Sequence, residues 1–292
     1  MSVSVTIGEW QDAPQLDSGG EAVFAIGDVH GLSDHLRALR DTLGDEAALL
    51  QGVKRRLVQV GDLIDGGPDS AGVVDSVMQP GWRDGFDASH VLIGNHEILM
   101  RLSLAAANAA GLSIVWRAWT GSGGDAALKS FGISEEGEGE DLQPLLCERV
   151  GPLLGDFFAR LETHLLIGNL AIVHAGIDPS EEAAGMQRFL AKPWDELPRP
   201  EPGGDRHWAW IREPLLAWNG PARSGRIVVH GHTPEPKVKK RMGARYPGPH
   251  VLNELRLGLD AGSWRTGRLG AAQLENGRYR IFIAEGPVPA RG

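Results

Sequence analysis

Two short stretches, Gly27-Asp28-Val29-His30-Gly31 and Gly94-Asn95-His96-Glu97, decide how this chain folds, since each directly follows a short apolar run. A third stretch, Gly61-Asp62-Leu63-Ile64-Asp65, lies between them and also follows an apolar run. An apolar run that stops at Gly-Asp or Gly-Asn is typical of a buried strand that ends in a loop. Apolar residues at helical spacing follow the first two loops, which favours parallel strands with active groups at their carboxyl ends.

The rest of the chain supplies further strands and two more histidine motifs, His174-Ala175-Gly176 and Gly231-His232-Thr233. Apolar runs on both sides of Gly168-Asn169 predict a β-hairpin, and Asn276-Gly277 predicts a second hairpin near the end. We expect residues 257–259 to join the strands of this second hairpin in an antiparallel set. Residues 1–20 lack periodicity and are expected to be irregular, and the acidic, glycine-rich residues 134–141 are expected to form a mobile loop.

These patterns predict an α/β fold, with a parallel first half and an antiparallel last third. Because the candidate site residues span most of the chain, we predict one domain over residues 1–292 with a core of about 21–284. Residues 100–165 and 178–225 are predicted to be cap or insert regions.

Composition excludes several classes of protein. The chain has 292 residues and a formal net charge of −9, which argues against nonspecific nucleic-acid binding. Cys147 is the single cysteine, so no intramolecular disulfide can form, and we expect it to fill a gap in the core. The chain shows neither a signal-peptide pattern nor an apolar stretch of the roughly 18–20 residues that a membrane span needs. We therefore expect a cytoplasmic protein without nucleic-acid or membrane partners.

The polar residues of the five motifs form a donor set that suits two close divalent metal ions. In extended backbone, residues i and i+2 project to the same side, so Asp28 and His30 are expected to reach one metal. Asp62 can bridge two metals because a carboxylate has two oxygens, and a water between the metals would supply hydroxide for in-line attack on phosphorus. The candidate metal ligands are Asp28, His30, Asp62, Asn95, His174 and His232.

Four more residues are candidates for catalysis and substrate binding. His96 follows a ligand and could protonate the leaving group, and Asp65 could hold His96 in its protonated form. Asp65 could equally cap the helix that begins near residue 68. Arg212 and Arg101 could bind phosphate oxygens, although Arg212 could instead pair with a neighbouring glutamate and Arg101 could lie on a solvated helix face.

In combination, the five motifs resemble those of the calcineurin-like metallophosphoesterases. Within that family the chain is most similar to the phosphoprotein phosphatase branch and its bacterial and lambda phage relatives, since Trp210-Ile211-Arg212-Glu213 resembles a segment with a phosphate-binding arginine. The resemblance implies a two-sheet αββα sandwich and a pair of manganese ions, with iron or zinc as alternatives. It also implies that Asp28, His30 and Asp62 hold one metal, that Asp62, Asn95, His174 and His232 hold the other, and that His96, Asp65 and Arg212 act on the substrate.

The chain departs from that family at Gly66, where the second motif normally continues with a phosphate-binding arginine. Loss of a charge-assisted hydrogen bond costs about 1.5–3 kcal/mol, so we expect weaker binding of a phosphomonoester unless another cation replaces the arginine. The main hypothesis is a phosphatase of phosphorylated proteins or small phosphoesters. The first alternative is a hydrolase of dinucleoside polyphosphates such as diadenosine tetraphosphate. The second is a nonhydrolytic phosphate-binding module, which the complete ligand set argues against. The oligomeric state stays open.

Overall fold

The computed structural model describes residues 2–106, 108–133, 137, 139–195 and 206–288. Its strands are β1 (Ser4–Ile7), β2 (Gln11–Asp12), β3 (Ala22–Ile26), β4 (Arg55–Gln59), β5 (Ala88–Val91), β6 (His164–Ile167), β7 (Leu170–Val173), β8 (Ile227–His230), β9 (Arg256–Gly258), β10 (Arg268–Glu275) and β11 (Arg278–Glu285). They form a large mixed sheet in the order β1-β11-β10-β3-β4-β5, with β2 paired to β11, and a second sheet in the order β6-β7-β8-β9.

Ten α-helices surround the two sheets in the described part of the chain, with short 3₁₀ turns at 80–83 and 243–245 and a π-helical turn at 120–124. The helices are α1 (Ser33–Ala48), α2 (Ser70–Met78), α3 (Asn95–Ala105), α4 (Ala109–Trp119), α5 (Asp125–Ser130), α6 (Gly139–Arg160), α7 (Ala183–Leu190), α8 (Glu213–Ala217), α9 (Glu235–Met242) and α10 (Ser263–Thr266). Among the described residues, no helix is long and apolar enough to span a membrane.

The alternation of side chains along β3 shows how the layers stack. Phe24 and Ile26 pack in one apolar cluster with the leucines of α1, whereas Val23 and Ala25 pack in a second cluster against strands of the small sheet. A third cluster joins Val228 of β8 to α7 and α8 on the outer face of the small sheet. The predicted αββα sandwich is therefore confirmed.

Strand pairing confirms most of the predicted elements. Strands β3, β4 and β5 run parallel, and each is followed by one of the loops that carry the Gly-Asp or Gly-Asn motifs. Both predicted hairpins are present, as β6 with β7 and β10 with β11. The prediction for residues 257–259 was wrong, because β9 pairs with β8 in parallel and belongs to the small sheet.

Other expectations need correction. Residues 1–20 are not wholly irregular, since β1 and β2 pair with β11, and their mostly exposed side chains explain why no apolar pattern marked them. Cys147 is exposed rather than buried. Half of the predicted loop at 134–141 (134–136 and 138) lies outside the described residues, and its last three residues begin α6. The region 178–225 contains α7 and α8, and its residues 196–205 lie outside the described part.

The helices within residues 100–165 pack on the large sheet. Trp116, Leu146 and Phe157 belong to the same apolar cluster as Leu36 of α1. The single domain with two inserts stays a prediction, and β1 shows that the large sheet begins before residue 21.

Candidate metal centre

The predicted site residues converge at the carboxyl ends of the parallel strands. Asp62 and Asn95 follow β4 and β5 of the large sheet, and His174 and His232 follow β7 and β8 of the small sheet. Asp62, Asn95 and His232 border a cleft of about 280 Å³, whereas His174 is fully buried behind them. The cleft is lined by His30, Asp62, Asn95, His96, Gly121, Ser122, Arg212, His232, Pro234, Lys237, Asp260, Gly262, Trp264 and Arg265.

Asp62 lies at the centre of the cluster and is shared by two groups of potential metal donors. Its Oδ1 lies 3.3 Å from His174 Nε2, and its Oδ2 lies 3.7 Å from His30 Nε2. The first group consists of His30, Asp62 and His96, and the second consists of Asp62, His174 and His232. Within each group, the potential ligand atoms of the three residues all lie within 4.8 Å of one another. This arrangement suits a carboxylate that bridges two ions.

Three imidazole rings are oriented by backbone carbonyls. In each, one ring nitrogen is bonded to a carbonyl oxygen and the other is directed at Asp62 or Asn95, which is the usual way a protein orients histidine for a metal. The pairs are His30 Nδ1 with Ile64 O (3.0 Å), His174 Nδ1 with Val60 O (2.9 Å) and His232 Nε2 with Trp210 O (3.2 Å). Burial lowers the pKa of His30 to about 4, so this ring is neutral as a metal ligand must be.

The amide of Asn95 completes the second group. Its Oδ1 lies 3.0 Å from His174 Nε2 and 2.6 Å from His232 Nδ1. Asn95 is the first residue of α3, directly after the Gly94 that the motif supplies. Three predicted ligands therefore point their donor atoms at one place.

Asp28 provides a test of whether the residues fit a cation. Its Oδ2 accepts a hydrogen bond of 2.7 Å from the backbone N–H of His232, whereas its buried Oδ1 has no hydrogen-bond partner among the described residues. Burial, together with the charges of Asp260 and Asp62, raises the pKa of Asp28 well above its usual range. Several buried carboxylates beside neutral imidazoles fit divalent cations, which would offset this repulsion.

The prediction of extended backbone from Asp28 to His30 was wrong. His30 has a φ of +47°, so the backbone after β3 is not extended and the two side chains do not alternate as in a strand. Asp28 belongs to neither of the two donor groups. Its position beside Asp260 and His232 keeps it a ligand candidate.

Backbone strain is concentrated at the site. Among the described residues, five non-glycine residues have a positive φ, and four of them are His30, Asp62, Asp65 and His232. Such conformations are costly for residues with a Cβ and persist where the surroundings enforce them, often at functional sites.

His96 and Asp65 form the predicted pair. His96 Nδ1 lies 2.8 Å from Asp65 Oδ2, and Trp119 Nε1 donates to both Asp65 oxygens at 3.0 Å each. Burial alone would lower the pKa of His96, but the carboxylates of Asp62 and Asp65 raise it to about 9. Asp65 is not the cap of α2, because Asp69 accepts from the Gly72 N–H at that end.

Glu97 is a structural member of the site that the sequence patterns did not single out. Its Oε2 accepts from the backbone N–H groups of Asp62 (2.9 Å) and Gly94 (2.8 Å), and its Oε1 accepts from Leu63 (2.8 Å) and Ile64 (3.2 Å). The carboxylate thereby ties the loop after β4 to the beginning of α3. Its place in the Gly94-Asn95-His96-Glu97 motif was the available signal, since an acidic residue three positions after a helix cap often binds backbone amides.

The two predicted phosphate-binding arginines differ in position. Arg212 lines the cleft. Arg101 does not, because its guanidinium lies over the ring of Trp194, 3.9 Å from the ring centroid, where α3 meets the segment after α7. The structure therefore does not support Arg101 as a substrate ligand.

Gly66 is enclosed by an aromatic ring. It has a φ of +77°, and a Cβ at this position would lie 2.8 Å from Cδ2 of Trp264. Trp264 in turn carries the guanidinium of Arg265 4.5 Å from its ring centroid. A side chain at position 66 is therefore opposed by both the backbone conformation and the indole.

Comparisons with known proteins agree with this geometry. A family model described as calcineurin-like phosphoesterase matches residues 22–261. A symmetrical bis(5'-nucleosyl)-tetraphosphatase from Nitrosomonas europaea is 26% identical over 191 residues, which are 65% of this chain and 56% of that protein. This chain thus spans about 56% of the length of that curated relative.

Two crystal structures are similar across most of the chain. One, provisionally described as a diadenosine tetraphosphatase, is 22% identical with a TM-score of 0.47 and covers 93% of this chain and 96% of its own. The other, a cold-active protein-tyrosine phosphatase of a psychrophilic Shewanella, is 17% identical with a TM-score of 0.53 and covers 92% of this chain and 80% of its own. At this identity the second likeness establishes the fold alone.

Proposed function

Because this chain belongs to the calcineurin-like phosphoesterase family, we propose that it is a metal-dependent hydrolase of dinucleoside polyphosphates such as diadenosine tetraphosphate. Hydrolysis of a phosphate ester or anhydride follows from membership of this family. The substrate class is our own inference.

The observation that carries the proposal is the carboxylate of Asp62, which faces a histidine group on each side of the cleft. Asp28, His30 and Asp62 would hold one divalent ion, and Asp62, Asn95, His174 and His232 would hold the other. When bound, the two ions would neutralise substrate charge and make a water nucleophilic near neutral pH.

The chain's own residues would then position the substrate and move one proton. Arg212, which lines the cleft, would hold oxygens of the reacting phosphate. The water oxygen forms a bond to phosphorus while the bond from phosphorus to the leaving oxygen breaks. His96, held at Nδ1 by Asp65 at 2.8 Å, would give its Nε2 proton to that leaving oxygen.

The substrate proposal is supported by the activity for which the Nitrosomonas europaea relative is named. It is also supported by Gly66, since the cleft lacks the arginine that its phosphomonoesterase relatives carry after the second motif. A phosphoanhydride substrate offers further phosphates for other cations of the cleft to bind. The resemblance to phosphoprotein phosphatases had favoured phosphorylated proteins, and these are the competing substrates.

The test is a side-by-side comparison of kcat/KM for diadenosine tetraphosphate, a phosphoserine peptide and p-nitrophenyl phosphate, with manganese, iron or zinc added to the purified protein. We expect diadenosine tetraphosphate to exceed the peptide by at least about tenfold, a discrimination that a few specific contacts supply. Faster turnover of the peptide would replace our proposal with a protein phosphatase. Full activity after removal of metal by a chelator would contradict the metal-dependent mechanism.

A further inference from the structure

Three basic side chains line the same cleft as several predicted metal ligands. Arg212, Lys237 and Arg265 all line the same cleft of about 280 Å³ as His96 and His232. They come from three separate segments: the start of α8, the helix α9 and the short helix α10. In a chain of net charge −9, this local concentration of positive charge needs an explanation.

The three cations are close enough to repel one another. Burial, followed by the charges of Arg212 and Arg265, lowers the pKa of Lys237 below its usual range. Among the described residues, no carboxylate lies within ion-pairing distance of Lys237 or Arg265. The carboxylate of Asp260 in the same cleft attracts Lys237 only in part, so a bound anion would offset the remaining repulsion between Lys237 and Arg265.

Arg265 is held in place by the contact that Gly66 permits. The indole of Trp264 packs against the backbone of Gly66, which leaves the guanidinium of Arg265 over the ring at 4.5 Å from its centroid. A cation over an aromatic face is stabilised there and gains orientation. Next to position 66, the positive charge of the cleft therefore comes from Arg265 of α10, while Gly66 itself contributes none.

The cationic lining continues away from the metal ligands. A second cleft of about 700 Å³ shares Arg212 and Lys237 with the first and extends along α9 past Lys240 and Arg241. Arg241 is paired with Glu213, whereas Lys240 has no ion pair among the described residues. An anion that extends from the metal ligands along this path meets further positive charge, which suits a chain of several phosphates.

We propose that Lys237 and Arg265 form a subsite for the phosphate next to the one that is hydrolysed, so that the site selects polyphosphate chains over phosphomonoesters. This inference rests on the proposed function, because it concerns the same cleft. It names Lys237 and Arg265 as the residues that make the enzyme prefer a dinucleoside polyphosphate to a phosphomonoester.

The test compares two ligands that differ by one phosphate, ADP and AMP, as inhibitors of p-nitrophenyl phosphate hydrolysis at a fixed concentration of free metal. In the double variant Lys237→Ala with Arg265→Ala, we expect the inhibition constant of ADP to rise about tenfold or more, and that of AMP by less than about threefold. The control is the double variant Lys239→Ala with Arg268→Ala, which removes the same charge from exposed side chains outside the cleft. The control is expected to keep the wild-type ratio of the two constants.

Equal weakening of ADP and AMP, an equal effect in the control, or no inhibition of the wild type by ADP would each overturn the subsite. The proposed function is judged separately, by turnover of diadenosine tetraphosphate in the wild type. The function would be refuted and the subsite kept if the wild type failed to cleave this substrate while the inhibition constant of ADP still depended on Lys237 and Arg265. Rapid cleavage that both double variants retain would keep the function and refute the subsite.

Discussion

Trp119 holds Asp65 by donating its Nε1 proton to both carboxylate oxygens, at 3.0 Å each, while Asp65 Oδ2 lies 2.8 Å from His96 Nδ1. Trp119 is completely buried, and burial raises the pKa of Asp65 even though His96 and Trp119 oppose the shift. The indole N–H is therefore part of what keeps Asp65 ionised and His96 oriented.

Trp119→Phe should slow turnover without removing metal. The variant keeps most of the ring but leaves Asp65 with one hydrogen-bond partner fewer, so we expect kcat to fall about 3- to 30-fold. The control is Trp116→Phe, which removes similar volume from a buried ring in contact with Trp119 at 5.3 Å between centroids. If both variants lose the same activity at equal metal content, Trp119 acts through packing alone.

His96→Asn should separate substrates by their leaving groups. We expect both metals to stay bound and turnover of phosphoserine peptides to fall by roughly 10²–10⁴-fold, the usual contribution of a general acid. Diadenosine tetraphosphate and p-nitrophenyl phosphate should lose less, because their leaving groups need little protonation. An equal loss on all three substrates would remove His96 from the acid role.

Asp62→Asn should nearly abolish activity and lower the metal content per protein, since this carboxylate faces both donor groups. Elemental analysis of the purified variant measures the second effect. The control, Asp41→Asn, changes an exposed carboxylate on α1 and should keep wild-type metal and rate. Full metal occupancy with normal turnover in Asp62→Asn would exclude a bridging role.

Gly66→Arg should lower stability and activity on every substrate, rather than restore phosphate binding. A side chain at φ +77° costs about 1–2 kcal/mol, and the Cβ overlaps with Trp264, which adds to that cost. Alanine variants separate the backbone cost from the steric overlap with Trp264. Gly220→Ala carries only the backbone cost, because Gly220 has a φ of +88° with nothing within 4 Å of its Cβ position. Thermal unfolding should show a larger loss for Gly66→Ala than for Gly220→Ala, and equal losses would exclude the contact with Trp264.

Local sequence was sufficient for much of the fold and the donor set. The predicted strand before each motif is present at β3, β4, β5, β7 and β8, because a buried strand needs an apolar run and a tight exit needs glycine. Since parallel strands end at one edge, the motif residues had to lie close together. The edge strand β1, with its exposed side chains, carries no such signal.

Only the tertiary structure shows the contacts between residues that are far apart in the chain. Trp119 contacts Asp65 across 54 positions, Trp264 of α10 packs on Gly66 in the loop after β4, and Arg101 lies on Trp194 outside the cleft. The sequence by itself determined which side chains could bind metals and move a proton, because those properties belong to single residues and their immediate neighbours. Which side chains orient them, and which cations reach the substrate, depended on how separate helices pack, and packing is a property of the whole chain.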